Sequence, residues 1–364
     1  MKRWMAFAGC VAALALAACS RPPEPAPAQA TEAQPQQLRK VRFLMNSGFS
    51  GANAWLLVAD ERGYFRDEGI EVEFVPGRGA FTAAGRMVEE GFDVGYGDIH
   101  AVYEQAAKAP GKAPVGVYMV MDRSPSVIIL PAASPVTSAG QLAGLTITGH
   151  ASDVALNTFA QYAAKTGLDA ASVTIETNEG NWKVLLGLLD QGGSDALFGY
   201  LSTSTAAVRT AGGDVDSTLR FLKFRDAVPE LYGSALMVSP RLLREEPGAA
   251  RGLVRAVNRG LMETLCEPQA AIDILVRRAP GENAEAELGR LRDTVDDMGG
   301  AERVAREGVG DIDPSRMRAA LKLTAETRRL PRQPDVAEVF DRGLLPEAAL
   351  RKPCAEASGT AGRP

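Results

Sequence analysis

Residues 55–75 read WLLVADERGYFRDEGIEVEFV. Trp55, Leu56, Leu57 and Ala59 fall at helical spacing, so the segment from Ala52 to Arg62 predicts a helix. Gly63 can enter the left-handed region without steric cost and so end that helix. Tyr64 and Phe65 then fold back on the core, and Gly69 permits the next tight turn. From Ile70 to Val75 apolar and acidic residues alternate, as they do in a half-exposed strand. Phe65 is therefore expected to pack in a core and not to meet a ligand.

The same rhythm extends outward. Strand-like runs are expected at 41–45, 92–96, 115–121 and 127–130, with helices at 81–90 and 99–107. After a break at Pro131 to Pro135 the pattern restarts. Strands follow at 145–148, 173–176, 196–198, 219–224 and 231–238, with helices at 154–166, 182–190 and 204–211. Beyond Pro240 come long amphipathic helical patterns at 249–278, 282–298 and 314–327. The chain is thus α/β: two units, each with a mostly parallel sheet between helices, and a helical tail. The simplest assembly inserts the second unit between two crossing strands. Lobe I is then 39–131 and 233–350, lobe II is 132–232, and 351–364 is a disordered tail. Two crossings at one edge make a hinge, and strand ends facing each other make a cleft.

The N-terminal residues read as a lipoprotein signal peptide, 1–18. Lys2 and Arg3 precede an apolar run, Trp4 to Ala18, too short to serve as a permanent membrane anchor. The run ends Leu16-Ala17-Ala18-Cys19, which resembles a bacterial lipobox with Cys19 as the lipidated residue. Residues 19–38, rich in Pro, Ala and Gln, are expected to be a disordered tether holding a folded part off a membrane. The net charge is −5, and no basic block with interleaved aromatics appears, so nucleic acid is not an expected partner. Two histidines and four cysteines show no metal-binding spacing, so no metal is expected. Cys266 and Cys354 are left either as two free thiols or as a pair that pins the C-terminus.

The quoted stretch, with Phe92 to Asp98 (FDVGYGD) and Phe340 to Pro346 (FDRGLLP), resembles the solute-binding proteins of ABC importers for nitrate, aliphatic sulfonates, taurine and thiamine pyrimidine precursors. The resemblance spans about Val41 to Pro346. It implies a two-lobed, type II periplasmic-binding-protein fold with a C-terminal helical extension. It also implies a small-molecule ligand, an ABC permease and ATPase as partners, a monomer, and a place in the periplasm or at the cell surface. No cluster of basic residues marks a nitrate or sulfonate pocket.

Ligand contacts are sought just past strand ends. Asn53 either caps the first helix or meets ligand, and Trp55 at the same edge is either a stacking surface or a buried indole. Arg78 and Gly79 follow the second strand. Asp98 follows the third, as a helix cap or as an acceptor for a ligand amine. In the second lobe Ser152 and Asp153 start a helix. Trp182 stands beside polar residues at another helix start, and Gly199 and Tyr200 lie near the hinge. Tyr232 sits at the return crossing. Trp55, Trp182, Tyr200 and Tyr232 together form a possible aromatic cage for a flat ring.

Binding without chemistry is the expected function. No catalytic residue is assigned, no cofactor is expected, and no Gly-x-Ser-x-Gly elbow or P-loop is present. The fold family includes a pyrimidine synthase, but neither a cysteine-rich motif nor the lysine it needs is visible. A planar heterocycle such as a thiamine-type pyrimidine is the expected ligand. The alternatives are a sulfonate, nitrate or other small organic anion, with Arg78 or Arg123 as its charge partner, or a sensory receptor without transport.

Overall fold

The computed structural model describes residues 38–353, and the leader, Cys19, all but the last residue of the tether, and Cys354 lie outside that span. Within it the quoted stretch folds as its pattern requires. The helix Ala54–Glu61 stops where Gly63 takes φ 72°. Phe65 is buried against Phe74, with ring centroids 6.2 Å apart. The acidic-apolar alternation forms strand β2 (Ile70–Val75), parallel to β1 (Arg39–Leu44) in register from Arg39 opposite Ile70 to Leu44 opposite Val75.

The remaining strands are β3 (Val94–Asp98), β4 (Val115–Met119), β5 (Ser126–Pro131), β6 (Thr146–Gly149), β7 (Thr174–Thr177), β8 (Ala196–Tyr200), β9 (Leu219–Lys223) and β10 (Ser234–Val238). They form two five-stranded sheets, ordered β2-β1-β3-β10-β4 and β7-β6-β8-β5-β9. Each contains three parallel strands and one antiparallel strand that enters from the other half of the chain: β10 beside β3, and β5 beside β8. Every residue of β3 and β10 is buried, as expected of central strands covered on both faces.

The position of β5 corrects the sequence reading. Its apolar run pairs with β8 and β9 in the second sheet, so the outward crossing lies between Met119 and Ser126 and not at residue 131. A run buried on both sides carries no mark of which sheet it joins. The return crossing lies between Lys223 and Ser234.

Both crossings are gripped by the C-terminal helices. Arg316, on the helix Pro314–Thr327, donates to Asp122 Oδ2 at 2.9 Å and to the Leu231 carbonyl at 2.9 Å. Its guanidinium covers the Tyr232 ring at 3.9 Å. Arg303 reaches Asp122 Oδ2 at 2.9 Å. Asp297 accepts from Arg225 at 2.9 Å through its side chain and from the Arg123 amide at 2.9 Å through its carbonyl.

The expected helix at 249–278 is two helices, Pro247–Cys266 and Pro268–Arg278, because Pro268 cannot continue the first and suits the first turn of the next. The first packs against Ala54–Glu61, where a Cβ on Gly260 would lie 2.5 Å from the Trp55 carbonyl. Cys266 is disulfide-bonded, its partner lying outside the described residues. Arg351, expected in a disordered tail, is buried and donates to the Val309 and Pro346 carbonyls. Among the described residues no helix is long and apolar enough to cross a membrane.

Candidate functional site

Asp98 ends β3 and Tyr200 ends β8, so each stands at the carboxyl edge of a parallel strand, the edge where α/β sheets bind ligands. The two edges meet. Tyr200 donates its phenol to Asp98 Oδ2 at 3.4 Å. Asp98 is fully buried, and its Oδ1 accepts from the His100 amide at 2.9 Å and bonds His100 Nδ1 at 2.7 Å. Three contacts therefore satisfy the carboxylate, and the short span from Asp98 to His100 at a helix start makes two of them local.

A second contact closes the same seam. Gly79 has φ +106°, and a Cβ there would lie 2.4 Å from Ser152 Oγ. The position needs glycine twice, for its backbone and for the approach of the other lobe. Beside Ser152, Asp153 caps the helix Val154–Asn157 through the Ala155 amide at 2.8 Å. Burial pushes its carboxyl up to about 6, against the pull of the amide and of His150. Burial likewise raises the Tyr200 phenol well above its ordinary range, with the Asp98 and Asp153 charges adding to it.

Trp182 starts the helix Trp182–Asp190 and is half-buried. Its indole lies over Gly199, where a Cβ would be 2.5 Å from the ring. It meets the His150 ring edge-on at 6.3 Å, and His150 Nε2 bonds the Gly180 carbonyl at 2.7 Å. Trp182 also walls a cavity of about 940 Å³, lined on one side by Leu186 and Ala207 and on the other by Glu287 and Arg290. That size lies in the range of small-molecule sites.

Other expected site residues have different work. Trp55 is fully buried, edge-on to Tyr96 at 5.3 Å, with its indole N–H directed to the Ala52 carbonyl. Tyr232 is buried in the first sheet's core beneath Arg316, and its hydroxyl accepts from the Asp313 amide at 3.1 Å. The four-membered aromatic cage is therefore not assembled: two of its rings are core. Asn53 is spent on its own loop, donating to the Gly48 carbonyl at 3.0 Å and accepting from the Ser50 amide at 2.9 Å. Arg78 is exposed, and Arg123 sits 3.7 Å from Asp296 at the crossing.

The sequence reading passed over several groups at the seam. Tyr96, Ser126 and Ser234 are buried with hydroxyls that have no hydrogen-bond partner. Ser126 lies opposite Tyr200 in the ladder, and Ser234 opposite Asp98. Placing the crossing at residue 131 hid the first of them. Asp297 is fully buried with Oδ2 unpartnered, and burial holds its carboxyl well above the usual range. Among the described residues no group of three or more His, Cys, Asp or Glu side chains could hold a metal.

Residues 52–271 match the NMT1/THI5 like family. The riboflavin-binding protein RibY of Chloroflexus aurantiacus is 27% identical over 300 residues, covering 80% of this chain and 81% of that protein. The alkanesulfonate-binding protein SsuA of Xanthomonas axonopodis pv. citri, bound to MOPS, superposes with a TM-score of 0.62 at 16% identity, covering 85% of this chain and 99% of that one. The desulfurization enzyme DSZB, in complex with biphenyl-2-sulfinic acid, superposes with a TM-score of 0.58 at 15% identity, covering 84% and 97%. The fold is that of the periplasmic binding proteins, and it also carries an enzyme.

Proposed function

The chain belongs to the NMT1/THI5 like family, and from that premise we propose that it is the solute-binding component of an ABC-type importer, closing two lobes around a small planar nitrogen heterocycle. The observation that carries the ligand class is the chemistry of the seam. Its buried charged groups are the carboxylates Asp98 and Asp153, accompanied by the hydroxyls of Tyr200, Tyr96 and Ser234. Such a surface favours a ligand that donates hydrogen bonds and disfavours an anion, which would face carboxylates at low dielectric. Trp182 beside the cavity supplies a flat apolar wall for a ring. The likeness to a riboflavin-binding protein is consistent with this class.

A sulfonate or nitrate would require a cation at the seam. Arg123 faces Asp296, and Arg225 is paired with Asp296 and Asp297. Binding without catalysis is the accompanying reading: Asp98 and His100 form a buried pair, but no nucleophile stands in hydrogen-bond contact with that imidazole among the described residues. Lipidation at Cys19, an extracytoplasmic location and a monomer complete the proposal.

The test is thermal unfolding of the purified protein against riboflavin, thiamine-type pyrimidines, taurine, alkanesulfonates and nitrate. A ligand at a hundred times its dissociation constant adds about 2.7 kcal/mol. A shift with the heterocycles alone is the expected result. A shift with the sulfonates or nitrate alone would refute the ligand class.

A further inference from the structure

The seam holds three hydroxyls that the fold buries and leaves unpaired: Tyr96, Ser126 and Ser234. They are neighbours through the ladders. Residues directly opposite in an antiparallel pair present their side chains to the same face. Ser126 therefore shares a face with Tyr200, and Ser234 with Asp98. The electrostatic surroundings of Tyr96 and Tyr200 both include Ser234 and Asp98. The backbone nearby is already paired: the Ser234 carbonyl accepts from Val120 and Met121, and the Pro125 carbonyl from Leu201. Only the side-chain oxygens remain to be satisfied.

Buried hydroxyls without partners destabilise the unliganded fold, so their concentration at the meeting point of two lobes asks for a reason. We propose that Tyr96, Ser126, Tyr200 and Ser234 form a hydroxyl floor that reads the edge of a neutral planar ring carrying adjacent N–H and C=O groups, as a ring amide or imide does. The inference rests on the heterocycle reading above and adds to it the recognised edge. A hydroxyl both donates and accepts, so a mixed donor and acceptor edge suits four of them better than an edge of one kind. Asp98 already receives three donors, so a cationic ligand is not needed to balance it. The two serines come from the crossing strands, which makes ligand recognition and hinge closure one event.

The experiment uses the full chain with riboflavin as probe, N3-methylriboflavin as its edge-blocked analogue, and lumichrome and an aminopyrimidine lacking a ring carbonyl as further probes. Ser126→Ala and Ser234→Ala are each made. Without ligand both variants are expected to melt at or above the wild-type temperature, because each loses an unpaired buried hydroxyl. Both are expected to bind riboflavin 5- to 50-fold more weakly, and wild type to bind N3-methylriboflavin at least 10-fold more weakly than riboflavin. Failure of every heterocycle to bind wild type overturns the ligand reading and this inference with it. Riboflavin binding that neither variant changes overturns this inference alone. So do unliganded variants that melt lower, or binding confined to the aminopyrimidine.

Discussion

Tyr200 donates to Asp98 Oδ2 across 3.4 Å, joining the last residue of a strand in one sheet to the last residue of a strand in the other. The bond is long, so it contributes at the weak end of the hydrogen-bond range, about 0.5 kcal/mol. Its position makes it a latch. In Tyr200→Phe the overall stability is expected to change by less than about 1 kcal/mol. The population of closed molecules is expected to fall. Interlobe distance distributions from paired spin labels check this: an unchanged unliganded distribution would remove the latch role.

Asp98 itself is a different case. It holds His100 through two bonds in a fully buried setting. Asp98→Ala would leave a buried imidazole N–H unpaired and remove a helix cap. The expected cost is about 2–4 kcal/mol, read by denaturant unfolding. Asp98→Asn keeps the shape and is expected to recover part of that loss.

What could be read from the sequence was local. Gly63, Phe65 and Gly69 lie within a few residues of the helix and strand they connect, so spacing alone placed the turn. Asp98 and Asp153 were legible as caps because a cap is a short-range device. Trp55 and Tyr232 were not, because an aromatic near a strand end faces cleft or core according to what packs over it, and that cover comes from far along the chain. Arg316 covers Tyr232, and Tyr96 meets Trp55 edge-on. The break at Pro268 was overlooked although the residue announces it. Ser126 and Ser234 carry no motif, and only the ladder partners reveal them.

Gly79 tests closure from the other side of the seam. A side chain there meets Ser152 Oγ and must also adopt φ +106°. Gly79→Ala is expected to cost about 1 kcal/mol or more in stability through the backbone. It is also expected to weaken ligand binding further by holding the lobes apart. Pairing it with Ser152→Gly removes the clash and leaves the backbone strain. Recovery of affinity without recovery of melting temperature would separate the two effects, and no recovery of affinity would exclude Ser152 as the obstacle.

The hinge clamp has its own signature. Arg316 contacts both crossings, through Asp122 and through Leu231 and Tyr232. Arg316→Ala leaves Asp122 with Arg303 as a remaining cation, so the charge is not stranded. The expected loss is about 2–3 kcal/mol from the buried polar contacts and the ring stacking. Arg316→Lys is expected to recover little, because an ammonium cannot bridge both crossings as a planar fork does. Equal stability of the two variants with wild type, by urea unfolding, would show the clamp to be incidental.

Asp153 gives the pH dependence. Its carboxyl is raised from 3.8 to about 6, mainly by desolvation. The folded state therefore holds its proton where the unfolded chain has lost it. Below about pH 4 both states are protonated and the group contributes no difference. As pH rises from about 4 to about 6 the unfolded chain ionises first, and stability falls by an amount of order 2 kcal/mol for this partly accessible group. Above about 6 the loss is complete. Asp153→Asn retains an acceptor for the Ala155 amide and cannot ionise. The variant is expected to match wild type near pH 4 and to exceed it near pH 7.5 in thermal melts. A ligand N–H directed at Asp153 favours the ionised carboxylate, so affinity in wild type should rise through about pH 6 and stay flat in the variant. Calorimetric titrations at pH 5 and pH 7.5 decide it: parallel pH profiles for the two proteins would place the ligand away from Asp153.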